Sequence, residues 1–192
     1  MKSFSQHSPP SRILYIARHG RASSGGVTSD DERFLTEEGY REVEMVAHRM
    51  EKNRAKPKVV YSSPLRRAQE TAAVFSRYFE SPVRVDKNLG PGTRIQSLDR
   101  ILRQSQEEEL LFIGHMPDVG ILTFSLIGAY ERTDGAARGG MRRPPGYMDF
   151  SPGSVVSVRI SIRGDKREGG RLQWFLSPSL ETDAEWGTYA LK

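Results

Sequence analysis

Short aliphatic runs alternate with amphipathic stretches along the first two thirds of the chain. The runs predict four buried strands, at 13–17, 58–63, 83–85 and 110–115. The stretches between and after them carry apolar residues at helical spacing and predict four helices, at 35–53, 63–80, 94–106 and 117–128. Alternation of this kind predicts a three-layer α/β/α fold, with a mostly parallel central sheet covered by helices on both faces.

Local capping signals predict where the first two helices begin. Thr36 is expected to cap the first helix, whose opening turn is acidic, and Pro57 is expected to end it. Ser63 is expected to cap the second helix, with Pro64 at its first helical position. These signals place the start of the second helix directly after the second strand.

The alternation stops after the fourth predicted helix. Residues 131–152 are rich in Gly, Pro and Arg and have no hydrophobic period, which predicts a long irregular loop. This loop is either a solvated insertion or a basic lid that approaches a phosphorylated partner. Two further strands, at 154–162 and 171–176, are expected to form a hairpin with 163–170 as its turn.

Length and composition indicate one globular domain. At 192 residues, 36% of them hydrophobic, the chain can bury a substantial core, so we expect a flexible lead at 1–11 and a single domain over 12–192. No apolar run approaches the roughly 20 residues of a membrane span, and the N terminus lacks the apolar stretch of a secretory signal. We therefore expect a cytoplasmic protein with no membrane partner.

Charge and cysteine content narrow the range of ligands. The net charge of +5 is modest for this length and is not concentrated in a lysine tract, so we expect an anionic ligand but no nucleic acid. The absence of cysteine excludes thiolate chemistry, and four histidines offer few ligands for zinc, so we expect no metal and no cofactor. The oligomeric state stays open and is compatible with a monomer.

Polar side chains follow three of the predicted strands at the point where each strand ends. Arg18 and His19 follow the first strand. Arg67 comes shortly after the second strand, and His115 follows the fourth. Because the carboxyl ends of parallel strands meet at one edge of a sheet, we expect these side chains to converge. Two histidines among arginines suit phosphoryl transfer, since a neutral imidazole is a good nucleophile and arginines bind phosphate oxygens in pairs.

Three motifs in this order resemble the histidine phosphatase superfamily, which also contains the cofactor-dependent phosphoglycerate mutases. They are RHG at 18–20, SSPLRRAQETA at 62–72 and GHMPDVG at 114–120. Within the superfamily the chain is most similar to the short SixA-type phosphohistidine phosphatases, in its small size and in DERFLTEEG at 31–39, LGPG at 89–92 and WFLSPSL at 174–180. The resemblance implies a phosphoglycerate mutase-like fold and a phosphatase that acts through a phosphohistidine intermediate.

The resemblance also implies a role for each matching residue. His19 would be the nucleophile that becomes phosphohistidine, and Arg18 beside it would bind the phosphoryl group. Arg67, the arginine directly before alanine in SPLRRA, would be the pocket arginine, and its neighbour Arg66 would not. His115 would be the second histidine, which contacts the phosphoryl group and stabilises the transition state.

Two further arginines are candidate substrate-binding residues. Arg33 holds the arginine position of the family's D-x-x-R-P-L-T stretch, although Phe34 replaces the proline that follows. The resemblance implies that Arg33 also reaches the pocket; the alternative is that it only pairs with Asp30 or Glu32 at the surface. Arg21 either touches the substrate or only begins the loop that leads to Arg33. Gly20 is expected to let the backbone approach an anion beside the nucleophile.

The proton donor is where the chain departs from much of the superfamily. Many relatives place an acidic residue after the third strand, but no Asp or Glu lies between Asp86 and Asp99. An alkoxide leaving group needs a general acid, whereas imidazole can leave in its neutral form. The absence therefore favours phosphohistidine on a protein, or another good leaving group, over sugar phosphates, and it argues against a mutase. The alternatives are a small-molecule phosphomonoesterase using the same site and a non-catalytic anion-binding module of the same fold.

Overall fold

The structure, a computed structural model, describes residues 11–24, 29–128, 148–164 and 166–178. Its six-stranded sheet comprises β1 (Ser11–Arg18), β2 (Val59–Ser62), β3 (Val83–Val85), β4 (Glu109–Gly114), β5 (Val155–Arg163) and β6 (Lys166–Leu176). The helices are α1 (Glu37–Lys52), α2 (Arg66–Phe79), α3 (Ile95–Gln104) and α4 (Asp118–Leu126). Short 3-10 turns at Asp30–Glu32 and Lys87–Leu89 precede α1 and α3.

The strands lie in the order β3-β2-β4-β1-β5-β6. The first four strands pair in parallel, whereas β5 pairs antiparallel with β1, and β6 antiparallel with β5. This confirms the predicted mostly parallel sheet and the C-terminal hairpin. In the register, Arg18 lies opposite Gly114 and Ser62 lies opposite Ile113, so the carboxyl ends of β1, β2 and β4 meet at one edge.

Helices cover both faces of the sheet, as the alternating pattern predicts. On one face, Val43 of α1 is fully buried in the same core as Leu111 of β4. On the other face, Leu98 of α3 and Leu126 of α4 share a core with Phe112. Adjacent residues of β4 thus enter opposite cores, and each buried side chain of this size contributes about 1.5–3 kcal/mol.

The first helix begins as predicted but ends earlier. Thr36 caps α1, and its hydroxyl oxygen accepts the Gly39 N–H at 3.0 Å. The helix ends at Lys52 with Asn53 as its C-terminal cap. Pro57 lies beyond this cap and does not end the helix, so that part of the prediction is wrong.

The predicted start of the second helix is wrong. α2 begins at Arg66 with Leu65 as its cap, not at Ser63. The reason is that the Ser63 N–H donates to the Ile113 carbonyl at 3.1 Å and so extends the pairing of β2 with β4. The Ser63 side chain is thereby left for the site described below.

The turn of the C-terminal hairpin is shorter than the glycine content predicts. β6 begins at Lys166, so most of the predicted turn at 163–170 is strand. Gly170 pairs with Ile160, and a Cβ at Gly170 would collide with the Leu126 carbonyl at the end of α4. This glycine therefore permits close packing of a helix against the strand rather than a turn.

Two expected irregular segments fall largely outside the described residues. Of the expected lead at 1–11, only Ser11 is described, and it begins β1. Of the expected loop at 131–152, only 148–152 are described, and Phe150 among them is fully buried. In the part of the chain that the structure describes, no helix is long and apolar enough to cross a membrane.

Candidate active site

His19 lies directly after β1 with its side chain buried. Its backbone N–H donates to the Gly114 carbonyl at 3.1 Å, which continues the pairing of β1 with β4. Its Nδ1 lies 2.7 Å from the Gly20 carbonyl oxygen, and because a carbonyl only accepts, Nδ1 carries the proton. Nε2 is therefore the unprotonated nitrogen and carries the lone pair that nucleophilic attack would use.

The surroundings of His19 keep it uncharged. Its pKa is lowered to about 4, first by burial and then by the positive charges of Arg67, Arg18 and Arg33, while the hydrogen bond to Gly20 raises it. At neutral pH the imidazole is consequently the nucleophilic form. The same three arginines attract an anion to it.

Arg67, in the first turn of α2, contacts His19 directly. Its side chain is 6% exposed, and its Nε donates to His19 Nε2 at 3.2 Å. Its Nη1 donates to the Asp30 carbonyl at 2.6 Å and its Nη2 to Asp30 Oδ2 at 2.9 Å. Arg66 is exposed and bonds Glu70 at 2.8 Å instead. The structure brings Arg67, and not Arg66, to the nucleophile.

Asp30 joins two arginines of the site; its pairing with Arg33 was one expected alternative, whereas its link to Arg67 was not expected. Its Oδ2 accepts from Arg67, and its Oδ1 accepts from Arg33 Nη1 at 3.1 Å. Arg33 is itself anchored by its Nε, which donates to the Ser23 carbonyl at 2.6 Å. Hydrogen bonds from Arg33 and Arg67 lower the pKa of Asp30, so it is ionised at neutral pH. The signal was present, because the D-x-x-R spacing to Arg33 begins at Asp30 rather than Asp31.

His115 lies directly after β4 and faces His19, with 5.1 Å between the ring centroids. Its Nε2 lies 2.7 Å from Ser63 Oγ. Ser63 is fully buried and its Oγ accepts the Leu65 N–H at 3.3 Å, so the hydroxyl hydrogen is free to be donated to Nε2. We assign this hydrogen to the contact with Nε2, which puts the proton of His115 on Nδ1.

Two buried donors of the site have no hydrogen-bond partner among the described residues, Nδ1 of His115 and Nε of Arg18. Arg18 is held by its Nη1, which donates to the Phe150 carbonyl at 2.6 Å. Burial lowers the pKa of Arg18, and the Asp149 carboxylate raises it. The pKa of His115 is lowered to about 3, first by burial and then by His19. Buried donors without partners are rare, so this pair indicates a place for a polar ligand.

Hydrogen bonds tie the motif segments together through α2. Thr71 accepts the Gly20 N–H at 3.0 Å and donates to the Arg67 carbonyl at 2.7 Å. Glu70 accepts the Leu35 N–H at 2.6 Å. One helix thus positions both the segment after β1 and the segment before α1.

The structure corrects the reason for a glycine at position 20. A Cβ at Gly20 would lie 2.8 Å from Val43 Cγ2 and 3.2 Å from both the Gly39 carbonyl oxygen and Leu35 Cδ2. Its missing side chain therefore makes room for α1, not for an anion. This close packing also sets the Gly20 carbonyl against Nδ1 of His19.

Arg21, the other candidate substrate-binding arginine, is turned toward α1. Its guanidinium lies 2.8 Å from Glu42 Oε1 and 3.3 Å from Glu38 Oε2, and half of its side chain is exposed. Because both carboxylates belong to α1, the structure favours the alternative, in which Arg21 begins the loop that leads to Arg33.

A carboxyl group from α4 reaches the segment between β3 and α3. Asp118 Oδ2 accepts the Gly92 N–H at 2.7 Å, and Asp118 lines a small cavity with Thr93 and His115. Burial raises the pKa of Asp118, while the N–H groups of Gly92 and Thr93 lower it. The carboxyl holds the Gly92 turn beside the turn that carries His115. Asp118 lies 26 residues after Gly92 along the chain, so its approach to this segment does not follow from the sequence.

The assembled groups suit the transfer of an oxyanion. Two uncharged histidines, His19 and His115, meet the buried Arg67 and the partly buried Arg18 at one sheet edge, an arrangement that suits phosphoryl transfer. Among the described residues, no three His, Cys, Asp or Glu side chains are grouped to hold a metal ion.

Comparisons with known proteins agree with this geometry. An uncharacterized protein of Picosynechococcus is 30% identical over 113 residues, which cover 56% of this chain and 68% of that protein. The protein histidine phosphatase SixA, solved with tungstate, is 25% identical with a TM-score of 0.68, over 86% of this chain and 97% of SixA.

A further solved structure shares the fold. An Agrobacterium tumefaciens protein proposed to be a SixA phosphohistidine phosphatase is 22% identical with a TM-score of 0.65, over 86% of this chain and 97% of that one. Residues 14–90, which include His19, Arg33 and Arg67, match the histidine phosphatase superfamily, branch 1. The chain belongs to this superfamily.

Proposed function

We propose that this histidine phosphatase hydrolyses phosphohistidine on a protein, through a phosphohistidine intermediate on its own His19. The observation that carries the proposal is the 3.2 Å contact between the unprotonated Nε2 of His19 and the Nε of the buried Arg67. This contact places a cation where an electrophilic phosphoryl group would meet the nucleophile. The similarity to SixA, a protein histidine phosphatase, supports the same substrate class.

The reaction proceeds in two displacements at phosphorus. In the first, Nε2 of His19 forms a bond to phosphorus while the substrate's nitrogen–phosphorus bond breaks, and its imidazole leaves with the bonding electron pair. In the second, water attacks phospho-His19, the Nε2–phosphorus bond breaks, and inorganic phosphate leaves with the oxygen of that water. One water is consumed, and His19 returns to its starting form.

Donors around His19 stabilise the charge on the transferring oxygens. Arg67 already contacts Nε2, and the unpartnered Nε of Arg18 and Nδ1 of His115 are available to the same group. Arg33 contributes a further positive charge, and its hydrogen bond to Asp30 keeps it near the site. Donors fixed in advance in a buried site cost little reorganisation when the charge develops.

The leaving group decides the substrate class. A sugar alkoxide must be protonated as it leaves, whereas imidazole leaves neutral when its other nitrogen carries a proton. Asp30 is ionised by its two arginines and so carries no proton to give to an alkoxide. No Asp or Glu lies between Asp86 and Asp99 either, which supports phosphohistidine over the rival small-molecule phosphomonoesters.

A substrate panel with trapping of the phosphoenzyme tests the proposal. Rates are measured on a phosphohistidine protein, phosphoramidate and several sugar phosphates, and the acid-labile intermediate is captured by rapid denaturation. We expect the phosphohistidine protein to be preferred and His19→Ala to remove both turnover and intermediate. His48→Ala, which alters an exposed histidine on α1, is the matched control and should keep full activity. Full activity of His19→Ala would overturn the mechanism, and a preference for sugar phosphates would overturn the substrate class.

A further inference from the structure

All three nitrogens of the Arg67 guanidinium make hydrogen bonds within the protein. Nε donates to His19, while Nη1 and Nη2 donate to the carbonyl and the carboxylate of Asp30. Nε and Nη2 lie on one edge of the guanidinium, the edge that binds two oxygens of a carboxylate or a phosphate. Asp30 therefore takes half of the edge that faces the nucleophile.

Asp30 also accepts a hydrogen bond from a second arginine, Arg33. Its Oδ1 lies 3.1 Å from Arg33 Nη1, so one carboxylate spans Arg33 and Arg67. A phosphoryl oxygen bound to Arg67 Nη2 would compete for the donor that Asp30 Oδ2 now accepts. Two adjacent anions also repel each other, which raises the free energy of any state that holds both.

The Asp30 side chain is free to leave. It is 60% exposed, whereas that of Arg67 is 6% exposed. The exposed carboxylate keeps much of its contact with water in the ion pair, so it loses little solvation by pairing and regains water when it leaves. A phosphoryl group can therefore displace Asp30 into solvent while Arg67 stays in place.

We infer that Asp30 is a built-in competitor for phosphate: its carboxylate holds the Arg33–Arg67 pair in the resting protein, gives way to the phosphoryl group, and returns to expel inorganic phosphate after hydrolysis. This inference rests on the proposed function, because it takes the two arginines as the phosphoryl site. Its consequence is weak binding of the product, which keeps the site available at cellular phosphate concentrations.

Binding of inorganic phosphate, measured by calorimetry at fixed ionic strength, tests the inference without any turnover. Asp30→Asn keeps the shape of the side chain and removes its charge, and we expect phosphate to bind about three- to tenfold more tightly. Asp30→Ala should act in the same direction. Asp31→Asn, a matched change on the next exposed residue of the same turn, should bind phosphate like the wild type.

The outcomes separate this inference from the proposed function. Unchanged or weaker binding by Asp30→Asn, with wild-type binding by Asp31→Asn, would show that the carboxylate only orients Arg67 and would overturn the inference. An equal gain in both variants would reduce the effect to net charge and would also overturn it. If neither the wild type nor Asp30→Asn binds phosphate, the oxyanion site of the proposed function is wrong.

Discussion

The Nε of Arg67 lies 3.2 Å from Nε2 of His19, so the cation and the nucleophile meet before any phosphoryl group is bound. The two residues come from different motifs, one after β1 and one in the first turn of α2. Thr71 connects them, since it accepts the Gly20 N–H and donates to the Arg67 carbonyl. The nucleophile and its cation are therefore positioned as one unit.

Replacing Arg67 with lysine should lower kcat by about 10²–10³-fold, the range seen when one preorganised oxyanion donor is removed. A lysine retains the charge but cannot donate to His19 and to Asp30 from one planar group. Steady-state kinetics with a phosphohistidine substrate measure the loss. Arg66→Lys is the matched control, because Arg66 is exposed and bonds Glu70. Equal kinetics of the two variants would contradict the role given to Arg67.

Removal of the Ser63 hydroxyl should disturb catalysis through His115. Without the donor, Nε2 of His115 loses its 2.7 Å partner, and the buried nitrogen is left unsatisfied at a cost of about 1–3 kcal/mol. We expect Ser63→Ala to lower kcat about tenfold or more with little change in KM, and Ser63→Thr to recover most of it.

A spectroscopic measurement separates this effect from a general loss of packing. Nitrogen-15 shifts of labelled histidine report which ring nitrogen carries the proton, and wild-type His115 should be protonated on Nδ1. Ser63→Ala should shift this protonation toward Nε2, whereas Ser63→Thr should not. A protonated Nε2 in the wild type would contradict the assignment of the hydroxyl as the donor.

The layers of the fold could be predicted because the spacing of apolar residues within each segment distinguishes helix from strand. Val43 and Met50 fall at helical spacing, and both are fully buried against the sheet. The roles predicted for individual glycine and serine residues were less reliable, because a glycine can serve a turn or a tight contact and a serine can cap a helix or bond another side chain. Gly170 permits contact with α4, and Ser63 bonds a histidine, and neither role follows from the residues beside it in sequence.

Strand order predicts the positions of those site residues that directly follow a strand. His19 and His115 follow strands that pair directly, so their convergence follows from the parallel order. Asp30 and Asp118 reach the site from a short turn and from a helix start, over distances that sequence spacing does not encode. Charge alone also left Arg21 undecided, because the carboxylates of Glu38 and Glu42 become its partners only when α1 forms.

Activity should persist well below the usual pKa of histidine. The pKa of His19 is lowered to about 4 and that of His115 to about 3, both mainly by burial. Both rings therefore stay uncharged from pH 8 to about pH 5. Proton NMR of the ring hydrogens should show no titration of either residue over this range, and a midpoint near pH 6.5 for either one would contradict the prediction.

The same shifts predict how stability depends on pH. In the unfolded chain both histidines regain an ordinary pKa near 6.5, so between pH 6.5 and 4 the unfolded state binds more protons than the folded state. The free energy of unfolding should fall as the pH drops through this interval. Urea unfolding of the wild type and of His115→Asn measures the contribution of His115, and the variant should lose less stability on acidification. Parallel pH profiles would show that His115 does not contribute.

Gly20→Ala should weaken both the fold and the site, because its Cβ would lie 2.8 Å from Val43 Cγ2 and 3.2 Å from the Gly39 carbonyl. Relief of such contacts requires α1 or the segment after β1 to move, at a cost of about 1–3 kcal/mol. The movement would pull the Gly20 carbonyl from His19 Nδ1, so kcat should fall together with the free energy of unfolding. The double variant Gly20→Ala with Val43→Ala removes the nearest contact, and it should be more stable than the sum of the single changes allows. Strict additivity in the double-mutant cycle would mean that Gly20 and Val43 are not coupled, and packing against α1 would then not explain the glycine.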